Sequence, residues 1–251
     1  MDKMQADKFA SALKAGERPG CNGLVLIVGW RWGSQHQGYQ QLASEMRRLD
    51  DSHTLVYDGE YTHCTCATIS SFKNPRSVFF HASPADRERI ILAWQRSLEA
   101  AFARTEGVLH PFEIVFRSLE TSPAATFLRA DDASIGMESL RAVVKDAACD
   151  PQLGGLSVEL EAKYSGAHPE LFSLKDALHL PSIIHSTIMR VAVQPSGPAE
   201  ARLAEGLADL GARWEPATVQ VGAMSLVHER HPYMHLRREG GERHCYSLPS
   251  R

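Results

Sequence analysis

Hydrophobic and polar residues follow two different periods along this chain, and each period predicts a different kind of element. Residues 24–28 form a continuous apolar run rich in branched side chains, which predicts a buried strand. Residues 39–49 carry apolar side chains at helical spacing, and the same spacing follows Ser83 and Pro84, which suit an N-cap and a first helical position. Further strands are predicted at 53–57, 61–72, 111–119, 124–130, 183–193, 217–228, 233–236 and through Tyr246, and further helices at 134–148 and 198–214. This mixture predicts an α+β fold.

The two halves of the chain share one order of elements. Each half places a strand with a His-x-Thr motif ahead of a long helix, which two strands then follow. No close sequence repeat accompanies this order, so it indicates a duplication of architecture. It predicts a bilobal duplicated fold, in which two antiparallel-rich sheets form a concave central cleft and the helices lie on the outside.

The His-x-Thr motifs carry the candidate chemistry. One pairs His63 with Thr65, the other pairs His185 with Thr187, and side chains two apart on a strand point to the same face. If the two strands lie side by side, two imidazoles and two hydroxyls share one surface. One imidazole can take a proton while the other gives one, and the hydroxyls can donate to phosphoryl oxygens. The pattern therefore suits in-line attack on a phosphodiester.

Composition narrows the class of partner. The chain has 251 residues, 43% hydrophobic and 23% charged, the profile of a globular protein with ample material for a core. Its net charge of −3 leaves no overall basic excess, so any nucleic-acid contact has to be local. This favours a nucleotide or a short RNA end over a long duplex.

Cysteine usage and the N-terminal sequence bear on the compartment. The 5 cysteines are an odd number in a chain too large to need disulfides, which favours reduced thiols. Cys64 and Cys66 are expected to face away from His63 and to pack in the core.

Residues 1–20 read as a short helix or a loose leader without a signal peptide, and no apolar run approaches the roughly 20 residues that span a bilayer. We expect a cytoplasmic protein that makes no membrane contact and is a monomer by default.

With these two motifs the chain resembles the 2H phosphoesterase superfamily, whose mark is one His-x-Thr/Ser motif in each lobe of a bilobal α+β fold. Members include the 2'-5' RNA ligase-like proteins, cyclic nucleotide phosphodiesterases and the nucleotide-binding domain of some kinase-anchoring proteins. The order of elements fits over about residues 22–248, within a single bilobal domain at 21–251. The motifs lie about 120 residues apart, farther than in compact members, and we assign the excess to an insertion at 149–181 that forms a flap over the cleft.

The insertion gives the weakest local pattern in the chain. Gly154, Gly155 and Gly166 interrupt it, so residues 156–164 suit either a strand or an irregular segment. Residues 171–180 suit a short helix that stops before Pro181.

The resemblance implies a phosphodiesterase that needs no metal and no cofactor. On a 2',3'-cyclic phosphate one His activates water and the other protonates the leaving ribose oxygen. On a 2'-5' linkage a His activates a ribose hydroxyl instead, and a cyclic phosphate is released. The family's pattern favours His185 as the base and His63 as the acid, although the sequence itself leaves the assignment open. Thr65 and Thr187 would hold non-bridging oxygens.

Three further residues are candidates for substrate binding. Tyr61 lies two positions before His63, so it shares that strand face and suits either stacking on a base or packing in the sheet. Arg190 follows His185 by five positions, where many members carry an Arg, but regular alternation turns it to the opposite face unless a bulge or the strand end reverses it. Tyr233 lies before the last strands, where members often place a stacking aromatic.

Other chemistries find less support, and no metal site is predicted. A cluster of C-terminal histidines suggests zinc, but it lies in strand-like segments and no cysteine pair completes a ligand set; its members are His228, His231, His235 and His244. No glycine-rich phosphate loop and no Gly-x-Ser-x-Gly elbow occurs in the sequence. Two other functions stay open: a 3' RNA exonuclease that leaves a cyclic phosphate, and a nucleotide-binding sensor without turnover. Thr in both motifs argues against the exonuclease, whose relatives usually carry Ser, and two intact motifs argue against the sensor.

Overall fold

The computed structural model describes residues 8–17, 20–30, 32–105, 109–130, 135–171, 173–232 and 241–248. The helices are α1 (Lys8–Lys14), α2 (His36–Asp50), α3 (Val78–His81), α4 (Pro84–Arg104), α5 (Ile135–Ala147), α6 (Pro151–Tyr164) and α7 (Pro198–Ala212). The strands are β1 (Gly23–Gly29), β2 (Thr54–Val56), β3 (His63–Ser70), β4 (Phe112–Thr121), β5 (Ala125–Ala130), β6 (Ile184–Val191), β7 (Ala217–Val221), β8 (Ala223–Glu229) and β9 (Gly241–Ser247).

The strands form two sheets, and every pairing of neighbouring strands is antiparallel. One sheet has the order β3-β1-β8-β9, and the other has the order β2-β6-β5-β4-β7. Apart from β2, the two sheets match strand for strand. In each, the motif strand begins the series, and its neighbour is a strand from earlier in the chain, β1 for β3 and β5 for β6. The prediction of a duplicated α+β fold with two antiparallel sheets and packed helices is confirmed.

The pairing register shows the duplication at the level of single residues. In each sheet the motif residues face the neighbouring strand at the same offsets: His63 pairs with Gly29, Thr65 with Ile27, His185 with Arg129 and Thr187 with Phe127. Side chains on the other face of the motif strands pack into the core. Cys64 and Cys66 are fully buried there, as their alternation with His63 predicts.

Helices cover the sheets in pairs. The helices α4 and α5 pack together, and α5 lies on β3, while α2 packs on α7, which lies on β4. Trp94 of α4 and Phe116 of β4 are among the largest fully buried side chains. The N-cap expected at Ser83 is present, since its hydroxyl accepts a hydrogen bond from the backbone N–H of Asp86 at 3.2 Å.

Part of the predicted leader is packed onto the rest of the chain. The Phe9 ring of α1 meets Phe72 edge to face at 5.2 Å between centroids, and Ala10 is fully buried. The Ser11 hydroxyl donates to the carbonyl of Ala192. The described N-terminal residues therefore contribute to a small second core beside the one that joins the sheets.

Three local predictions were wrong. Residues 151–164 form helix α6, because Asp150 accepts hydrogen bonds from two backbone N–H groups of its first turn and outweighs the two glycines within it. Residues 173–180 contain a single isolated bridge, between His179 and Thr68, and no helix. The strand predicted at 217–228 is two strands in different sheets, which separate at Gly222. The strand predicted at 233–236 lies outside the described residues.

Asp86 fixes α6 onto α4. Its carboxylate is 3% exposed and accepts hydrogen bonds from Lys163 Nζ at 2.6 Å and from the Tyr164 hydroxyl at 2.7 Å. Ser83 and Arg89 also donate to it, at 3.0 and 3.2 Å. The hydrogen bonds from Lys163 and then Tyr164 hold the pKa of Asp86 well below its usual range. The end of α6, within the predicted insertion, is thus tied to α4 through one buried charge.

We expect Asp86→Asn to lower the free energy of unfolding by about 2–3 kcal/mol, because hydrogen bonds to a charged acceptor are stronger than those to a neutral one. Urea unfolding at pH 7 measures this. The folded-state pKa is depressed, so the contribution is present above the unfolded pKa near 3.8 and disappears as the pH falls below it. The matched control is Asp146→Asn, which removes a surface ion pair with Arg104 and is expected to cost less than about 1 kcal/mol. Equal losses for the two variants would contradict this account.

Candidate active site

The two motif strands meet at a cleft between the sheets. The strand β3 lies at the edge of its sheet, and it contacts β6 of the other sheet. A cleft of about 200 Å³ lies at this contact, and His63, Thr65, His185 and Thr187 all line it. The four residues predicted to be catalytic therefore share one opening. A larger cavity of about 620 Å³ between α2 and α7 contains none of them.

A backbone hydrogen bond orients His63. Its Nδ1 lies 3.0 Å from the carbonyl oxygen of Tyr61, and a carbonyl can only accept, so Nδ1 carries the proton. Proton exchange with a substrate therefore falls to Nε2. The half-buried ring sits at the first position of β3, where the strand backbone sets its direction.

His185 is partly buried beside an aromatic ring. The Phe127 ring packs edge to face against it at 5.3 Å between centroids, and its Nδ1 is buried without a hydrogen-bond partner among the described residues. Burial lowers the pKa of His185, and the positive charges of Arg190 and Arg129 lower it further, while the Ile183 carbonyl acts in the opposite direction. A depressed pKa favours the neutral imidazole at neutral pH, which is the form that accepts a proton.

Each motif strand bulges directly after its motif. β3 skips Cys66 in its pairing with β1, and β6 skips Ile188 in its pairing with β5. Both are the third residue after the motif His. An extra residue reverses the alternation of side chains, so the fifth residue after each His returns to the face of the His and Thr. These fifth residues are Thr68 and Arg190, and both line the cleft.

The bulge decides the position of Arg190. Regular alternation would place its side chain on the face opposite His185, whereas the structure places it in the cleft. Its Nε donates to the hydroxyl of Tyr57 at 2.8 Å. Tyr57 is fully buried, and its own backbone N–H donates to the carbonyl of the bulged Ile188 at 2.9 Å. A rigid partner therefore supports the guanidinium beside the motif residues.

The prediction that Tyr61 shares a strand face with His63 was wrong. Tyr61 closes a short 3-10 turn at Gly59–Tyr61, and β3 begins only at His63, so strand alternation does not extend to it. It lines a neighbouring cavity of about 620 Å³ that His63 also borders. Its role in substrate binding stays a prediction, and Tyr233 lies outside the described residues.

Two charged residues of the cleft were not identified from the sequence. Lys73 lies just beyond β3, in a segment whose sequence suits either phosphate attraction or, preferably, a solvated loop, and Glu229 ends β8. Neither belongs to a motif. Lys73 follows Phe72, whose ring lies 5.6 Å from its Nζ and also lines the cleft.

The described part of the chain contains no group of three or more His, Cys, Asp or Glu side chains able to hold a metal ion. Of the C-terminal histidines, His228 packs edge to face on Phe79, His244 lies 3.5 Å from a carboxylate oxygen of Glu99, and His235 is outside the described residues. Among the described helices, none is both long and apolar enough to cross a membrane.

The chain is similar to known proteins in its three-dimensional structure. No protein-family model matches the chain, and no curated protein matches it. The crystal structure of TT0787 from Thermus thermophilus aligns over 91% of this chain and 98% of its own, with 13% identity and a TM-score of 0.49. That of ATU0111 from Agrobacterium tumefaciens, described as a conserved protein of unknown function, aligns over 89% and 86%, with 14% identity and a TM-score of 0.48.

Proposed function

We propose that the protein is a phosphodiesterase of the 2H type that acts on 2',3'-cyclic phosphates, or on 2'-5'-linked nucleotides or RNA ends, by acid–base catalysis with two histidines. The proposed substrates are single nucleotides or short RNA ends, met in the cytoplasm by a monomeric protein. One observation carries the proposal: two His-x-Thr motifs from distant parts of the chain occupy matching positions on two bulged strands and line one cleft.

The environments of the histidines support distinct roles. Burial and the charge of Arg190 lower the pKa of His185, so His185 suits the base. On a cyclic phosphate, its neutral imidazole removes a proton from water as the water oxygen attacks phosphorus in line. The bond from phosphorus to one ribose oxygen breaks, and protonated His63 gives its Nε2 proton to that oxygen. His63 and His185 then exchange protons with solvent before the next turnover.

The remaining cleft residues support charge stabilisation. In the transition state, negative charge builds up on the non-bridging oxygens of the phosphate. The hydroxyls of Thr65 and Thr187 can each donate a hydrogen bond there, and the guanidinium of Arg190 adds a positive charge on the same face. All three belong to bulged strands, so their positions depend on rigid backbone.

We expect Arg190→Gln to shift the acid limb of the pH–rate profile to higher pH. The Arg190 charge lowers the pKa of His185, so its removal lets that pKa rise, and the neutral base is then populated only at higher pH. Loss of the phosphate contact should also lower kcat/KM by at least about tenfold. Activity against a 2',3'-cyclic nucleotide from pH 5 to 9 measures both effects.

Arg129→Gln separates these two effects. Arg129 also lowers the pKa of His185, but it does not line the cleft. We therefore expect the same direction of shift with KM little changed. If neither variant moves the acid limb, His185 is not the base.

A panel of compounds tests the proposed function itself. It contains 2',3'-cyclic nucleotides, 3',5'-cyclic nucleotides, and 2'-5' and 3'-5' dinucleotides, each incubated with and without EDTA. The proposal predicts turnover of the first class or of the 2'-5' dinucleotides in both conditions. Binding without turnover of any compound would favour the sensor, and activity lost in EDTA and restored by zinc would favour a metal enzyme.

A further inference from the structure

An acidic side chain lies inside the proposed phosphate site. Glu229, the last residue of β8, is 6% exposed and is the only acid among the described residues that line the cleft. It pairs with Gly23 of β1, where a Cβ would lie 2.6 Å from the Glu229 Oε2. A larger residue at position 23 would also lie 3.3 Å from Phe72, so the absence of a side chain at Gly23 leaves room for the carboxyl group in its present position. A site built solely to attract phosphate would have no acid here.

Two cations face this acid from other elements. Arg190 of β6 and Lys73 after β3 both line the cleft and both favour the ionised form of Glu229. Burial outweighs them and raises the pKa of Glu229 to about 7. The Cys21 thiol, which donates to the Glu229 backbone carbonyl at 3.5 Å, has a pKa raised by burial to about 12, so it adds no charge. Ionised Glu229 therefore offsets one of the two positive charges of Arg190 and Lys73, whatever the protonation state of the two histidines.

The two kinds of phosphate ester differ by one negative charge. A diester carries a single negative charge, whereas a phosphate monoester loses its second proton at a pKa of about 6 and carries nearly two at pH 7.5. The second charge meets the Glu229 carboxylate in a cleft partly shielded from water, where like charges repel strongly. A monoester can bind there only against this repulsion, or with uptake of one proton by Glu229 from solvent.

We propose that Glu229 is a specificity-determining residue that makes the cleft prefer the singly charged diester substrate over the doubly charged monoester product, and so favours product release. This inference rests on the proposed function in its form that hydrolyses a 2',3'-cyclic phosphate, since release of a cyclic phosphate from a 2'-5' linkage would yield a singly charged product. The imidazoles of His63 and His185 face the ligand in every case, so their contribution cancels when a Glu229 variant is compared with the wild type.

Two ligands that differ by one charge test it. These are 2'-deoxyadenosine 3'-monophosphate and its methyl ester, neither of which has the 2'-hydroxyl needed for internal attack. In calorimetric titrations at pH 8, the Glu229→Gln variant should bind the monoester about tenfold more tightly than the wild type does. This factor corresponds to a coupling of about one pKa unit between Glu229 and the second phosphate charge. Affinity for the methyl ester should change by less than about twofold. At pH 6 the gain should shrink, because Glu229 is then largely protonated in the wild type.

Two controls accompany the titration. Glu138→Gln removes the same charge from an exposed position on α5, and it should alter neither affinity. Glu229→Gln should have an unfolding midpoint at pH 8 no lower than that of the wild type, because burial already favours the neutral form. In the wild type, titrations in two buffers of different ionisation enthalpy should show more proton uptake with the monoester than with its methyl ester.

The outcomes are distinguishable. If Glu229→Gln changes both affinities equally or neither, and the wild type takes up equal numbers of protons with the two ligands, Glu229 does not discriminate charge and the phosphodiesterase proposal stands. If neither ligand binds the wild type, phosphate is not the ligand of the cleft, and both proposals are overturned.

Discussion

Replacement of either His63 or His185 by alanine lowers kcat on the best cyclic or 2'-5' substrate by about two to four orders of magnitude. Each imidazole carries one of the two proton transfers, so the loss of either leaves one transfer to water. Both rings line the cleft and neither is part of the main hydrophobic core, so the folded state should persist. Steady-state kinetics together with thermal unfolding of each variant measures both points.

The double variant and a remote histidine sharpen this test. Residues that act as a unit are not additive, so His63→Ala combined with His185→Ala should be little worse than the poorer single variant. His244→Ala is the matched control, because His244 lies on β9 at the far edge of the sheet from β3. A variant at His63 or His185 with near-wild-type kcat would rule out that residue as an acid or base.

A weakly basic leaving group separates the acid from the base. A 2'-deoxynucleoside 3'-(4-nitrophenyl phosphate) has no 2'-hydroxyl, so water is the attacking group, and it releases a phenolate that needs little protonation. If His63 is the acid, His63→Ala should recover most of its lost rate on this substrate, whereas His185→Ala should not. The opposite pattern would exchange the two roles and leave the paired mechanism intact.

Thr65→Val and Thr187→Val are expected to lower kcat by about 10²-fold each with little change in KM. Valine keeps the shape of threonine and removes the hydroxyl, so the variants isolate hydrogen bonds that strengthen as charge builds up on the phosphate oxygens. Comparison of kcat and KM on the same substrate measures the split between ground-state and transition-state effects.

Thr218→Val is the control for the threonine variants. Thr218 is exposed on β7, at the edge of the other sheet away from β6, and its change should leave both constants unaltered. A rise in KM at Thr65 or Thr187 with unchanged kcat would assign the hydroxyl to substrate binding alone.

Local patterns were sufficient to place the motif side chains. Two-residue alternation on a strand predicted that His63 and Thr65 share a face and that Cys64 lies in the core, and the structure shows both. The recurring order of elements predicted two antiparallel sheets, although β4 and β5, which follow the first motif, lie in the sheet of the second. These features depend on short segments of sequence, which is why one chain was enough to predict them.

A bulge after the second motif was raised only as one alternative for Arg190, and none was predicted after the first motif, yet the two bulges determine which residues complete the cleft. A signal was present: each motif is followed by two adjacent apolar residues, Cys66-Ala67 and Ile188-Met189, where regular alternation calls for one. All four are buried, as a bulge permits. This shift of phase would have placed both Arg190 and Thr68 on the face of the histidines.

Other features depend on contacts between distant segments. Glu229 lies on β8, and it reaches the cleft because β8 pairs with β1, far away in sequence. Helix α6 was missed because Gly154 and Gly155 have low helix propensity, although Asp150 and Pro151 form an N-terminal signal. Giving the N-cap signal of Asp150 and Pro151 precedence over the two glycines would have predicted the helix. By contrast, no residue near Glu229 in the sequence indicates that its side chain reaches the cleft.

The pH dependence of kcat/KM, measured in EDTA for the wild type and for each His→Ala variant, tests the paired-histidine mechanism most directly. The wild type should give a bell-shaped profile, His185→Ala should lose the acid limb, and His63→Ala should lose the alkaline limb, each at a much reduced rate. If both variants keep the rate and the two limbs of the wild type, the histidines that meet in the cleft do not perform the chemistry.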